Sequence, residues 1–301
     1  MAPAFGAAPE AELLAVASRS AEKARLPAEK HGIPRFFGSY DALLDDPEIE
    51  AVFLPLPNDC HAEWTKKALL AGKHVLCDKP MTLSTSDAEA NSALAREKNL
   101  RLMEGFMFRF HPQHARVKEL ILSGVIGEVK RFEASFCYPA TPDRENIRWN
   151  KARGGGALLD VGVYGISAAR YFLGEPTEGH AFSTIEPESG VDIASLATFT
   201  FPGGVLASVA CSFTEAFAST YKLIGTAGSI TAERAFQIGE SGVNLKVRAH
   251  NAESEAVEFF PHTDAYALEI AHFSACVRDP QKSLEPGEDG VMQARAVGLL
   301  G

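Results

Sequence analysis

The sequence predicts an α/β half built on a parallel sheet, followed by an α+β half built on an open antiparallel sheet. Three observations carry this reading. Up to about residue 110, short apolar runs alternate with helical stretches, the pattern of βαβ units. From Gly179 to Phe260, strands follow one another through glycine-rich joints such as Pro202–Gly204, with little helix between them. Consecutive strands with tight turns imply an antiparallel meander. Between these regions, Ala157–Leu173 is helix-periodic and mostly apolar, so a sheet is expected to bury it.

With 301 residues, 46% of them hydrophobic, the chain is long enough for two cores, placed here at residues 1–110 and 111–301. A net charge of −10 argues against a nucleic-acid or anionic-membrane surface. No run is long and apolar enough to span a bilayer. The start, Met1 to Gly6, lacks the basic and apolar regions of a secretory signal. Cys60, Cys77, Cys137, Cys211 and Cys276 are scattered, forming neither a metal-type pair nor a disulfide framework. No metal site is expected, and a reducing, cytosolic compartment is.

In chain order, Glu12–Ala17 reads as a buried strand and Glu22–His31 as a helix stopped by Gly32. Ser39 caps a helix over Tyr40–Leu44, and Ala51–Leu56 is the next strand. A helix over His61–Ala71 stops at Gly72. Ser84, or nearby Ser86, caps a helix running to Glu97, and Arg101–Phe108 is a further strand. His111–Leu122 is helical and leads out of the first half; Val129–Tyr138 alternates like a strand. Asp264–Val277 is a last amphipathic helix.

The chemistry centres on His74–Pro80. The apolar run His74–Cys77 reads as a buried parallel strand, which Pro80 must end because it has no N–H. Asp78 and Lys79 then stand at the carboxyl edge of a sheet, where open α/β folds place ligands. A lysine held there beside an acid can move protons; the other reading is a surface lysine at a strand end. Asp160 and Tyr164 are four apart, hence on one face of a buried helix, a credible polar site.

A dinucleotide-binding fold opens with a strand, then G-x-G-x-x-G, then a helix. No such loop is present here, and Gly154–Gly156 does not fit its context. Even so, the chain resembles the Gfo/Idh/MocA oxidoreductases, nearest the branch holding dimeric dihydrodiol dehydrogenase and NADP-dependent D-xylose dehydrogenase. The resemblance is carried by Glu12–Ser20, Pro55–Asn58 with His61, Ala71–Pro80, Met103–Pro112 and Gly154–Tyr164. It differs in Asp78, where the family usually has glutamate, and in the missing first strand. That strand is central in the Rossmann order, so its loss leaves two apolar strands without a shared neighbour. The expected fold is therefore a Rossmann-like parallel sheet lacking its first strand, in a chain that starts after it and ends, by family comparison, within a helix.

The resemblance implies an NADP-dependent hydride transfer, with NAD possible, to or from a hydroxyl-bearing carbon of a sugar or trans-dihydrodiol. Lys79 and Tyr164 would surround the reacting oxygen. One of them would take its proton, with Lys79 lowering the tyrosine pKa; Asp160 would orient Lys79 or the substrate. Ser18 and Arg19 stand where the ribose is discriminated, and an arginine there suits a 2′-phosphate. Leu56, Pro57, Asn58, Asp78 and Lys79 would meet the nicotinamide half. His61 either joins them or is only the first turn of its helix. Arg148 and Trp149 match positions near the ligand pocket; Trp149 is equally a packing anchor. The family also implies a homodimer, back to back through the antiparallel sheet. The competing expectation is a cofactor-free binding or dimerisation module, favoured by the absent glycine loop.

Overall fold

In the computed structural model, residues 1–143, 145–250, 255–284 and 289–301 are described. The elements of the first half are α1 (Ala2–Phe5), β1 (Ala15–Ala17), α2 (Ala21–His31), β2 (Arg35–Phe37), α3 (Tyr40–Leu44), β3 (Ala51–Leu54), α4 (Asn58–Leu70), β4 (His74–Asp78), α5 (Thr85–Glu97) and β5 (Leu102–Gly105). Ser20, Ser39 and Ser84 cap α2, α3 and α5, each accepting from the backbone N–H three residues on. Gly32 ends α2 with a left-handed φ of 65°.

All ladders here are parallel, but they form two sheets: β1–β2 and β3–β4–β5. Between β1 and β3 lies a cavity of about 760 Å³, lined by Leu14, Val16, Val52, Leu54 and, from the far end of the chain, Phe273 and Val277. The two apolar strands thus lack a common neighbour, as the missing glycine-loop strand predicts. β1 is shorter than expected and pairs with β2 over three residues. The Arg101–Phe108 strand stops at Gly105. Beyond it, Phe106 and Phe108 leave the sheet to pack edge-on and tilted against Tyr164, in and beside a 3₁₀ turn over Met107–Phe110.

The second half contains α6 (Pro112–Leu122), β6 (Val129–Cys137), α7 (Val163–Leu173), β7 (Glu178–Ile185), β8 (Asp192–Phe201), β9 (Val205–Ser212), β10 (Ala218–Gly225), β11 (Gly228–Ala232), β12 (Val243–Ala249), β13 (Ala256–Phe260), α8 (Ala265–Arg278) and α9 (Asp289–Gly298). One sheet runs β13-β12-β11-β10-β6-β9-β8-β7. It is mixed rather than purely antiparallel: β6 pairs parallel with β9 over Arg131–Cys137 and Leu206–Ser212. The meander is split because β6, entering from α6, takes the position between β9 and β10. There Phe132 and Phe136 reach the buried face and pack on Tyr221 and Phe236. Burying such side chains stabilises by roughly 1.5–3 kcal/mol each.

Helix α7 lies on that face. Gly165 approaches β9 so closely that a Cβ would sit 2.5 Å from Val209 Cγ1. Helices α8 and α9 then return to the first half: Phe273 packs with Leu76 and Met103, and Val291 joins the core of Val75, Cys77 and Met81. This return brings the β4 edge and the start of α7 together.

Candidate active site

Strand β4 ends where expected, and its last residues are gripped from several sides. The Lys79 N–H donates to Asp78 Oδ1 at 2.8 Å and the Met81 N–H to Glu104 Oε1 at 2.8 Å. The Pro80 carbonyl accepts from His61 Nδ1 at 2.7 Å. From this turn the Lys79 side chain, only 12% exposed, reaches across to the other half of the molecule. Its Nζ donates to the Asp160 carbonyl at 2.5 Å and lies 3.5 Å from Asp160 Oδ1.

Asp160 does not sit in an ordinary α-helix. The expected single helix over Ala157–Leu173 opens with a π-helical turn, Leu158–Gly162, before α7. The anchor is Asp192, whose Oδ2 accepts the Leu158 N–H at 2.7 Å. Gly156, with φ +115°, leaves room for it; a Cβ there would overlap Asp192 Oδ1. Wide turns of this kind recur at functional sites. Here the turn carries both the carbonyl and the carboxylate of Asp160 to Lys79, so the expected α-helical spacing to Tyr164 does not apply.

The second carboxylate oxygen of Asp160 accepts from Tyr138 Oη at 2.7 Å and from Arg148 Nε at 2.8 Å. Burial pushes the Asp160 carboxyl up, but Lys79, Arg148 and Tyr138 outweigh it and hold the group below its ordinary range. Tyr138 was not among the expected site residues. An aromatic at a strand end carries no sequence signal; only β6 and the π turn folding together reveals it.

Tyr164 is in the same neighbourhood. Lys79 Nζ lies over its ring, 5.2 Å from the centroid, rather than beside its hydroxyl. The hydroxyl faces Met107 Sδ at 3.8 Å. Phe106, Phe108, Phe136 and Phe236 surround the ring. Burial raises the phenol well above its ordinary value, and the charges of Asp78 and Asp160 add to this. Burial thus acts against the lowering expected from Lys79 and favours the protonated phenol.

The remaining expected residues are distributed as follows. Arg148 is joined to the Lys79–Asp160 pair, while Trp149 is buried against Phe213. Asn58 Nδ2 donates to the Gly154 carbonyl at 2.8 Å, tying the start of α4 to the loop before the π turn. Leu56 lines the cavity between β1 and β3, and Pro57 is the residue before α4. His61 is 1% exposed, so it reaches the centre through Pro80. Ser18 and Arg19 follow β1 on the far side of the cavity; Ser18 N–H bonds to the Phe37 carbonyl and Arg19 is exposed.

Known proteins share this fold. Residues 1–106 match the model described as an oxidoreductase family with a NAD-binding Rossmann fold, and residues 114–231 match the GFO/IDH/MocA C-terminal domain. The dTDP-3,4-didehydro-2,6-dideoxy-alpha-D-glucose 3-reductase of Saccharopolyspora spinosa is 39% identical over 100% of this chain and 92% of its own length. The chain belongs to the Gfo/Idh/MocA oxidoreductase family. Its relatives include D-xylose 1-dehydrogenase (NADP(+)) 2 of Haloferax volcanii, 34% identical over 97% of this chain and 90% of that one. A 3-ketoreductase of Actinomadura kijaniata, crystallised with NADP and TDP-benzene, superposes with a TM-score of 0.93 at 36% identity, covering 99% of this chain and 91% of that one.

The chemistry of these residues is compatible with a nicotinamide dinucleotide. Arg19 is an exposed cation at the end of β1, and Leu56–Asn58 with Asp78 and Lys79 mark the ends of β3 and β4. Glu269 of α8 adds a wholly buried carboxyl near Asp78, with no hydrogen bond to its Oε1. Between these ends is the open cavity, and among the described residues no glycine-rich loop faces it.

Proposed function

We propose that this oxidoreductase uses NADP(H) and, in its working direction, reduces a ketone on a sugar ring carried by a nucleoside diphosphate. The observation that carries the reading is the pairing of Lys79 with Asp160 beside a phenol that stays protonated. Both groups facing the reacting oxygen are then donors. Donors suit reduction, in which the oxygen gains negative charge as the carbon gains hydride. The nicotinamide, when bound, supplies the hydride. Lys79 gives a proton from Nζ to the developing alkoxide, so C=O becomes CH–OH. Tyr164 steadies that oxygen by hydrogen bonding, and Asp160 keeps Lys79 aimed. The relatives that reduce dTDP-linked keto sugars support the substrate class, and Arg19 supports the phosphorylated cofactor.

A cofactor-free binding module has no use for a lysine held by two acceptors of one buried aspartate. The deciding experiment is fluorescence titration with NADPH and NADH, followed by NADPH oxidation with a dTDP-keto sugar, D-xylose and a trans-dihydrodiol. Reduction of the keto sugar alone is the expected result. Activity restricted to the diol, or none with bound NADPH, overturns the substrate assignment. Arg19→Ala should weaken NADPH by about ten- to a hundredfold, the loss of one charged hydrogen-bonding group, and leave NADH unchanged.

The outer face of the large sheet supports self-association. Phe182, Leu196 and Leu206 are 76%, 46% and 55% exposed on adjoining strands, with Arg131 beside them. An apolar sheet face of this kind marks an interface, and a back-to-back dimer covers it.

A further inference from the structure

We propose that His61 is a positioning residue, which sets the direction in which Lys79 leaves the sheet; this rests on the proton-donating role given to Lys79 above. The Pro80 carbonyl and the Met81 N–H belong to one planar peptide unit. His61 of α4 grips one edge of that plane at 2.7 Å, and Glu104 of β5 grips the other at 2.8 Å. A plane held at both edges cannot pivot. The Asp78–Lys79 unit, on the other side of the Lys79–Pro80 peptide, is held as well, through the Lys79 N–H on Asp78 Oδ1. Lys79 therefore extends from a backbone held on both sides, which is what its reach to the Asp160 carbonyl requires.

The chemistry of the contact fixes the imidazole. A carbonyl only accepts, so Nδ1 carries the hydrogen that bonds to it. His61 is 1% exposed and Glu104 is 2% exposed, so neither grip competes with water. Remote positioning of this kind matters because a small misplacement of a reacting group costs on the order of a hundredfold in rate.

Asparagine places its amide nitrogen as many bonds from Cβ as histidine places Nδ1, whereas leucine has the same shape and no donor. H61N, H61L and H61F, the last keeping a ring without a donor, separate the hydrogen bond from the packing. The readout is the acetylation rate of individual lysines in the whole chain, followed by mass spectrometry, which needs neither cofactor nor turnover. Lys73, 7% exposed and bonded to the Asp46 carbonyl away from the turn, reports general loosening. We expect Lys79 to label several-fold faster in H61L and H61F with Lys73 unchanged, and H61N to match the wild type. With a keto-sugar substrate, kcat should fall about tenfold or more in H61L and H61F at unchanged NADPH affinity, and H61N should restore it. Equal acceleration of Lys73 and Lys79, or wild-type labelling of Lys79 in either donor-less variant, overturns the proposal, as does a folded H61N that behaves like H61L. If the wild type turns over no keto sugar, the functional reading fails, while the labelling result still decides the role of His61.

Discussion

At the scale of single residues, the centre is one cation held by one acid. Lys79→Ala should lower turnover by about two to four orders of magnitude, the range for removing a proton donor, while NADPH titrates as before. Loss of cofactor binding in that variant would instead place Lys79 among the groups that hold the dinucleotide. Tyr138→Phe tests the second layer. It removes a hydrogen bond to a charged group, worth about 1.5–3 kcal/mol, so Asp160 loses one of its holders and kcat should drop by roughly tenfold. Because Tyr138 and Arg148 help keep Asp160 ionised below the ordinary carboxylate range, the acid limb of the rate profile should move to higher pH in Tyr138→Phe. An unmoved limb would show that Arg148 and Lys79 suffice.

At the scale of elements, the π turn is what joins the two halves of the site. Its geometry depends on the Asp192 carboxylate capping Leu158 and on the space left by Gly156. Asp192→Ala removes that cap and should cost about 0.5–2 kcal/mol, the usual worth of a capping side chain, seen as a lower urea midpoint. Gly165→Ala drives a methyl into Val209 and should cost about 1–3 kcal/mol by overpacking where α7 crosses β9. A midpoint equal to the wild type in Gly165→Ala would mean that α7 can lift off the sheet at no cost.

At the scale of the whole molecule, two buried histidines set the acid limit. His114 donates from Nε2 to the Ala235 carbonyl and accepts from Tyr221 at Nδ1, and His111 lies next to it at the start of α6. Burial, reinforced by neighbouring charge, lowers His111 to about 4 and His114 to about 3. An unfolded chain protonates both near 6.5, so it binds more protons than the folded one at lower pH. Their contribution is complete above about 6.5 and is lost as pH falls toward 4 and 3, at about 1.4 kcal/mol per pH unit for each histidine. Chemical denaturation at pH 7, 6 and 5 should show this slope, and His114→Gln should flatten it. At this scale too, Leu206→Glu on the exposed sheet face should yield a monomer by analytical ultracentrifugation if the back-to-back dimer is correct.

Much of this was legible in the residues themselves. Serine caps, glycine stops and the proline after Lys79 act within a few residues, so Ser39, Gly32 and Pro80 mark their boundaries without reference to the rest of the chain. The alternation of short apolar runs with helices identified the parallel sheet, and the absent glycine loop foretold the gap between β1 and β3. Contacts made across long separations were not legible. The insertion of β6 beside β9, the π turn bent by Asp192, the approach of Tyr138 to Asp160 and the dehydration that keeps Tyr164 protonated each join segments whose local sequences would be equally content apart. Local backbone preference is written residue by residue. The charge states of Asp160 and Tyr164 and the aim of Lys79 depend on which distant groups surround them, and packing alone settles that.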